Sequence, residues 1–548
     1  MRLLRLMLPA FLPGLFLIPL TQPASAGSAT WKLDPTSGDW NTAMNWTPNT
    51  VPNGTDDIAT FGVSNLTEIT QSMATTLGGM QFDLGASSYN INILPRNTFS
   101  LNDAGVTNQS GVTQSISCSS TTLDFYNQST AGDNVIYTNT NTETYVTSFY
   151  TFHNDATAGG ATFINNSNPT LVAGSKIEFQ NNASAGSSYI TNSGSTNSVF
   201  TAYTSFYDDS TAAESTIIYD GAFGSFFSRA TAANSTITCS GYSNITFYEL
   251  STAGTATITS SGGSTVVFED VSTAEAATLI ADGTSLRFEG GSDGGTARIV
   301  LTNASTLIVK PKGGPVFHVG SLEGDGAARI NRVLLIGGND LDATFSGTLA
   351  STLESDWLTK LGTGTWTLAG TGSYPGTTTV IDGALLVASA STPTGSGPVK
   401  VNGGTLGGSG TIAGPVTIGT GSGTGAFLAP AHGGNKQLTL TIQSSLTFNS
   451  DATYTYTFKA KGNKSKIDKV IANGVTINGG ASINLSGTTQ GNLTQGTALT
   501  LIKNTAATPI SGTFSNLPDG GIVNVNGNNL QASYSGGDGN DLTLTVVP

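Results

Sequence analysis

The chain has 548 residues, 10% of them charged, with 21 basic against 35 acidic side chains and a formal net charge of −14. That balance disfavours nucleic acid as a partner, because phosphates need basic surface, and no basic stripe is expected. Few helix formers, 69 glycines and abundant Ser, Thr and Asn point to an all-β chain, and the low charge excludes ordinary acidic disorder.

Residues 1–26 read as an export signal. Arg2 and Arg5 form a basic head, Leu6 to Leu20 is apolar with three prolines, and Ala24-Ser25-Ala26 offers the small residues a signal peptidase needs. An uncleaved anchor is the competing reading. No later stretch approaches the ~20 apolar residues of a membrane helix.

Residues 27–120 differ in character from the repeats downstream. Trp31, Trp40 and Trp46 lie close together, ahead of Pro52-Asn53-Gly54, Asp56-Asp57 and Phe61. Aromatics beside turn residues suit a cap that hides the open edge of a first coil. The functional alternative is an exposed tryptophan platform that stacks on sugars.

Residues 121–310 carry an internal repeat. An element typified by Ser251-Thr252-Ala253-Gly254 starts at Ser129, Ala156, Ala183, Ser210, Ala230, Ser251, Ser272 and, degraded, Ser292. The steps are 27 residues at first and then 20 or 21, a period that means a solenoid. Four residues before each start stands Phe125, Phe152, Phe179, Phe206, Phe226, Phe247, Phe268 or Phe288. Seven after it stands Ile136, Phe163, Ile190, Ile217, Ile237, Ile258, Leu279 or Ile299. Ala131 begins a third rank that runs through Ala274. Stacked coils would turn these ranks into interior columns. A further apolar rank two residues before each Phe, broken at Thr204 and Gly224, marks a strand with one face inward. One coil cannot bury its own face, so the coils must stack. The longer coils put their extra residues between the Ile rank and the next Phe, as a longer surface turn or as an added strand forming a ridge. Cys118 and Cys239 stand about five coils apart, over ~20 Å at strand spacing, too far for a disulfide.

Residues 311–356 are transitional, and 357–420 bring alternating strands between Gly-rich turns. Here Leu361-Gly362 with Gly364-Thr365-Trp366-Thr367-Leu368, Tyr374 with Gly376 and Thr377-Thr378, and Gly383 before Leu385 come one after another. Gly403-Gly404-Thr405-Leu406 continues the series. This stretch of about 60 residues resembles the autotransporter-associated β-strand repeat, also called the passenger-associated transport repeat. The resemblance implies a right-handed parallel β-helix in a secreted or surface-displayed protein. It implies a role in passenger transport and folding, and no active site in the repeat itself. Residues 421–548 are expected to add further β coils. The translocator barrel usual in autotransporters, about a dozen strands of ~10 residues, has no room before Pro548. Release, or attachment by another route, is expected in place of self-translocation.

Chemistry-bearing patterns are sparse. His153, His318 and His432 lie far apart without metal spacing. Gly536-Gly537-Asp538-Gly539-Asn540-Asp541 resembles a single calcium nonapeptide, but such sites need stacked copies, and a turn is the better reading. Asp208-Asp209 and Glu269-Asp270 are sequence neighbours, which on a strand point to opposite faces and make poor acid–base pairs. A rank of Thr130, Thr157, Thr211, Thr231, Thr252 and Thr273 with a second at Thr162, Thr216, Thr236, Thr257 and Thr278 could form an ice-binding face, but Tyr189 and Arg298 interrupt the second.

The expectation is therefore an all-β, right-handed parallel β-helix of the pectin-lyase-like solenoid kind, without cofactor or metal. The expected function is a non-catalytic exported rod, structural or adhesive, secreted by or displayed on a bacterium. Its expected partners are glycans or cell-surface components and an outer-membrane export system. The alternative is a polysaccharide-binding or polysaccharide-degrading β-helix enzyme, told apart by clustered carboxylates or basic groups in a groove along one face.

Overall fold

The computed structural model describes residues 27–548 apart from 145, 169, 171–173, 195–200, 311–313, 315, 355–356, 424 and 435. The export signal at 1–26 lies outside the described residues. The chain winds into a β-solenoid of about 16 parallel turns, and at ~4.8 Å per turn the rod is roughly 75 Å long.

Two parallel sheets run along the rod. The first contains the Phe rank, with strands such as Phe223–Phe226, Asn244–Phe247 and Thr265–Phe268 in register. From Phe125 to Phe288 the rings stack face to face, with centroids 4.5–4.8 Å apart and planes within 8°. All eight are sealed from solvent. The spacing is set by the backbone ladder, so each ring meets its counterpart at contact distance with no side-chain rearrangement.

The second sheet stacks Phe163, Ile190, Ile217, Ile237, Ile258, Leu279 and Ile299 in direct register. Ile136 does not belong to that column. It lies opposite Thr162 and is half-exposed, and Tyr137 takes the inward place opposite Phe163, 4.9 Å from its ring. The coil that starts at Ser129 has one extra residue at Asp133-Asn134, where Asn134 adopts φ +54°. That single insertion flips the alternation of the next strand.

The interruptions of the inner ranks have a shared cause. Asn139, Asn165 and Asn192 form a buried amide ladder inside the 27-residue coils, at 3.1 and 2.8 Å. Asn165 also donates to the carbonyls of Ser175 and Tyr203, tying the second sheet to the first. Thr204 donates to Asn192 at 2.8 Å. One coil on, Tyr219 replaces the amide, and its ring fills the space a Cβ on Gly224 would need, 2.6 Å from the Tyr219 Cζ. Much of the extra length of the long coils, including 145, 169, 171–173 and 195–200, lies outside the described residues. Among the described residues there is no added strand between Thr162–Asn166 and Ser175–Phe179.

The third side of the rod starts as single-residue bridges through Thr130, Thr157, Ser184, Thr211, Thr231, Thr252, Thr273 and Asp293. From Val316–Val319 onward it becomes a true parallel sheet of eight strands. At the far end the antiparallel strands Ala498–Asn504, Asp541–Val547, Asn528–Gly536 and Ile522–Val525 cover the last coils. Gly536 to Asp541 is the turn between two of these strands. At the other end Trp31 and Trp46 pair across an antiparallel bridge and Trp40 packs on Trp46 at 4.9 Å. All five tryptophans of the chain are 0–2% exposed, so none is available as a sugar platform. Cys118 and Cys239 are buried free thiols on one interior column, and burial pushes both thiols far up from their ordinary pKa.

Within 358–387, Trp366, Leu368 and Leu385 face the interior, and Gly362 and Gly383 adopt positive φ. Gly364 lies under the Leu341 carbonyl, 2.4 Å from where its Cβ would stand. The carbonyl of Gly376 would meet a Cβ on Gly397 at 2.1 Å.

Candidate binding surfaces

Three outward surfaces combine polar chemistry with shape. The first is an aromatic file beside the Phe column. Tyr207, Phe227 and Tyr248 stack at 5.0 and 4.8 Å with planes 4° apart. The facing ring surfaces within the file cover one another, so a sugar cannot lie between them.

The carboxylates of this flank serve the backbone. Residues two places after each Phe, among them Asn154, Asn181, Asp208, Glu249 and Asp270, adopt positive φ. Their side chains accept the N–H of the equivalent residue one coil earlier: Asn181 on Asn154 at 3.1 Å, Asp208 on Asn181 at 2.9 Å, Glu249 on Ser228 at 2.8 Å and Asp270 on Glu249 at 3.1 Å. Asp208 and Asp209 therefore sit in a turn and not on a strand. They share one cleft with Arg229, contrary to the opposite-face expectation. Arg229 grips Asp209 through two bonds of 2.7 and 2.8 Å and draws its carboxyl below the usual range. Sequence reading missed this ladder, although its signal, Asn or Asp two residues after Phe, is visible.

The second surface is a divided groove on the outer face of the second sheet. After strand Ala426–Leu428 the chain rises and crosses over strand Gly404–Gly408. Gly407 permits the crossing, because a Cβ there would stand 2.3 Å from the Ala429 carbonyl, and Gly408 donates to Pro430 at 2.9 Å. The crossing segment carries His432, which lines a groove of about 690 Å³ on one side and one of about 380 Å³ on the other. Glu323 and Asp342 line the larger. Glu323 is held in a bidentate pair by Arg298, both bonds 2.7 Å, and Asp342 accepts the Thr365 N–H at 2.7 Å.

Asp468 lines the smaller groove and is 1% exposed. It accepts the Leu438 N–H, the Thr457 N–H and the Thr457 hydroxyl at 2.9, 2.9 and 2.6 Å, while burial lifts its carboxyl above the usual aspartate value. Asp468 thus anchors the segment that carries His432. Asp468→Ala leaves three half-buried donors without their acceptor and is expected to cost about 1–3 kcal/mol. Thermal unfolding, with limited proteolysis at 429–438, checks this. Unchanged stability and cleavage would show that the anchor is dispensable.

The other histidines are elsewhere. His153 stacks on Tyr126 at 4.4 Å with Asp124 3.5 Å away, and His318 lies 2.8 Å from Asp293. Among the described residues no three His, Cys, Asp or Glu side chains are grouped to hold a metal.

The third surface was not anticipated. Strand Ala452–Lys461 outgrows the coil, turns at Gly462-Asn463 and returns as Lys464–Ile467. Lys459 lies directly opposite Lys466, and Lys461 opposite Lys464. The absence of a basic stripe expected from composition is therefore corrected. The whole-chain charge hides a local ribbon, whose signal is Lys-x-Lys on both arms of a Gly-Asn turn.

No family model matches the chain, and no curated protein matches it in sequence. Among solved structures it is similar to the crystal structure of the Haemophilus influenzae Hap adhesin, with a TM-score of 0.29 and 11% identity over 91% of this chain. The match spans 65% of that adhesin's length.

Proposed function

We propose that this chain is an exported, non-catalytic β-solenoid rod that works by adhesion, presenting fixed outer surfaces to glycans or other cell-surface components. The observation that carries the reading is the state of the groove around His432. Its carboxylates, Glu323, Asp342 and Asp468, are each committed to Arg298 or to backbone donors. They hold shape, whereas a glycosidase needs one carboxylic acid and one carboxylate free to exchange protons with substrate. A rod with a close-packed interior also keeps such a surface rigid, which lowers the ordering cost of binding.

The glycine placements at 362, 364 and 383 support the resemblance to the autotransporter-associated repeat, and with it export to the surface through an outer-membrane system. The purified chain is expected to bind cells or a glycan array saturably and to leave a panel of polysaccharides at full length. Depolymerisation of any of them overturns the non-catalytic reading, and no binding to cells or glycans overturns the adhesive one.

A further inference from the structure

We propose that the lysine ribbon at 458–467 is a docking surface for an acidic polysaccharide, a linear glycan bearing carboxylate or sulfate groups. This deepens the adhesive-rod reading and rests on it for the ribbon's presentation to an external glycan. In an acidic chain, five of 13 lysines lie between 459 and 469. Between Phe458 and Ile467 the sequence contains no carboxylate. Asp468, next along, is buried and turned to Thr457 and Leu438.

Like charges set directly opposite one another destabilise a β ribbon, and here two such pairs are adjacent. Lysine on an edge strand is a known defence against edge-to-edge association, and that accounts for Lys464 and Lys466. It does not account for Lys459 and Lys461. Their strand is interior to the sheet, paired on one side with Lys464–Ile467 and on the other with Ser482–Gln490. An anionic partner laid along the ribbon lowers the repulsion between Lys461 and Lys464 and their neighbour Lys466.

The neighbours select the kind of anion. The lysines share a cleft of about 400 Å³ with Thr488 and Gln490. Alternation places Thr455 and Thr457 on the same outer face as Lys459 and Lys461, and Asn484, Ser486, Thr488 and Gln490 on the adjoining strand. The face is thus ammonium groups bordered by hydroxyls and amides, which is the complement of a sugar acid. Single-stranded nucleic acid is held by successive aromatic side chains on which bases stack; the lysine cleft is lined by none, and Phe427, in the groove beside His432, stands beyond the ribbon. A membrane surface would favour apolar side chains at the hairpin tip, which is Gly462-Asn463. The same face continues to the groove beside His432, which Thr455 and Thr457 also line, giving a bound chain a path off the ribbon.

The test uses the full chain with a polyuronate and a sulfated dextran as probes and uncharged dextran as control. Binding to at least one acidic probe is expected, falling roughly 10- to 100-fold between 50 and 200 mM salt as counterions are released. The combined change Lys461→Gln, Lys464→Gln and Lys466→Gln is expected to weaken binding at least about tenfold and to flatten its salt dependence. The corresponding three arginine substitutions should retain it. The thermal midpoint of the glutamine variant should be unchanged or higher, since repulsion has been removed, which separates lost binding from lost folding. Full acidic-glycan binding by the glutamine variant overturns the ribbon as the site and leaves the rod reading intact. Binding to single-stranded DNA or to anionic vesicles in preference to both acidic glycans overturns the glycan as partner. Failure of the unaltered chain to bind either acidic probe overturns the proposal; failure to bind any cell or glycan overturns the adhesive reading as well.

Discussion

Phe247→Ala is expected to destabilise the rod by about 3–5 kcal/mol, the cost of a large aromatic truncation in a core that does not collapse. Phe247 has a ring 4.6 Å away on each side, Phe226 and Phe268, both nearly parallel to it. Each aromatic contact adds about 0.5–1.5 kcal/mol beyond area burial. The backbone ladders on either side hold the coils at fixed spacing, so neither neighbour can move in to fill the gap. In a quasi-one-dimensional array, stability is a sum of coil and interface terms, and a defect in mid-column should therefore split the unfolding transition. Urea unfolding followed by far-ultraviolet circular dichroism reads this as a lower midpoint with a second, separate step. Tyr248→Ala, one residue along on the half-exposed outer file, is the control and should cost less than about 1.5 kcal/mol. A loss below about 1 kcal/mol for Phe247→Ala, or equal losses for the two, would show that the inner column does not hold the coils together.

The legible part of the sequence owes its legibility to periodicity. The Phe, Ile and Ala ranks recur because an interior site in one coil is chemically the same site in the next, and translation along the axis turns spacing directly into contact. Register is harder to read. One extra residue at Asp133-Asn134 moved the inward place from Ile136 to Tyr137, and such an insertion is visible only once pairing with Phe163 is known. The Asn139–Asn165–Asn192 ladder was illegible for a different reason. Buried asparagine contradicts the apolar pattern, and its partners lie in other coils. The binding surfaces were the least legible. The groove depends on where 429–438 crosses the sheet, which Gly407-Gly408 permits but does not announce. The lysine ribbon vanished into an average, since net charge sums over a rod whose ends do not feel one another beyond a Debye length of about 10 Å.

The tryptophan cluster at Trp31, Trp40 and Trp46 gives the second large effect. Trp46→Ala is expected to cost about 3–5 kcal/mol, felt first at the end of the rod. Trp46 is fully buried, meets Trp31 at 5.0 Å and Trp40 at 4.9 Å edge to face, touches Phe61 at 5.7 Å, and donates from its indole to the Trp40 carbonyl at 2.7 Å. These contacts fold the segment 31–47 over the first turns, where strand Ala29–Trp31 pairs with Ile58–Phe61. A parallel solenoid ends in an open row of backbone donors and acceptors, and an uncovered row is a template for another chain. Loss of Trp46 should therefore bring two changes together: faster hydrogen exchange confined to roughly the first hundred residues, and concentration-dependent association seen by light scattering. Phe247→Ala should bring the first change in the middle of the rod without the second, because its defect lies between coils that remain capped. If the Trp46 variant stays monomeric with the exchange pattern of the unaltered chain, the tryptophan cluster does not cap the rod, and the end of the solenoid is protected by the first coils themselves.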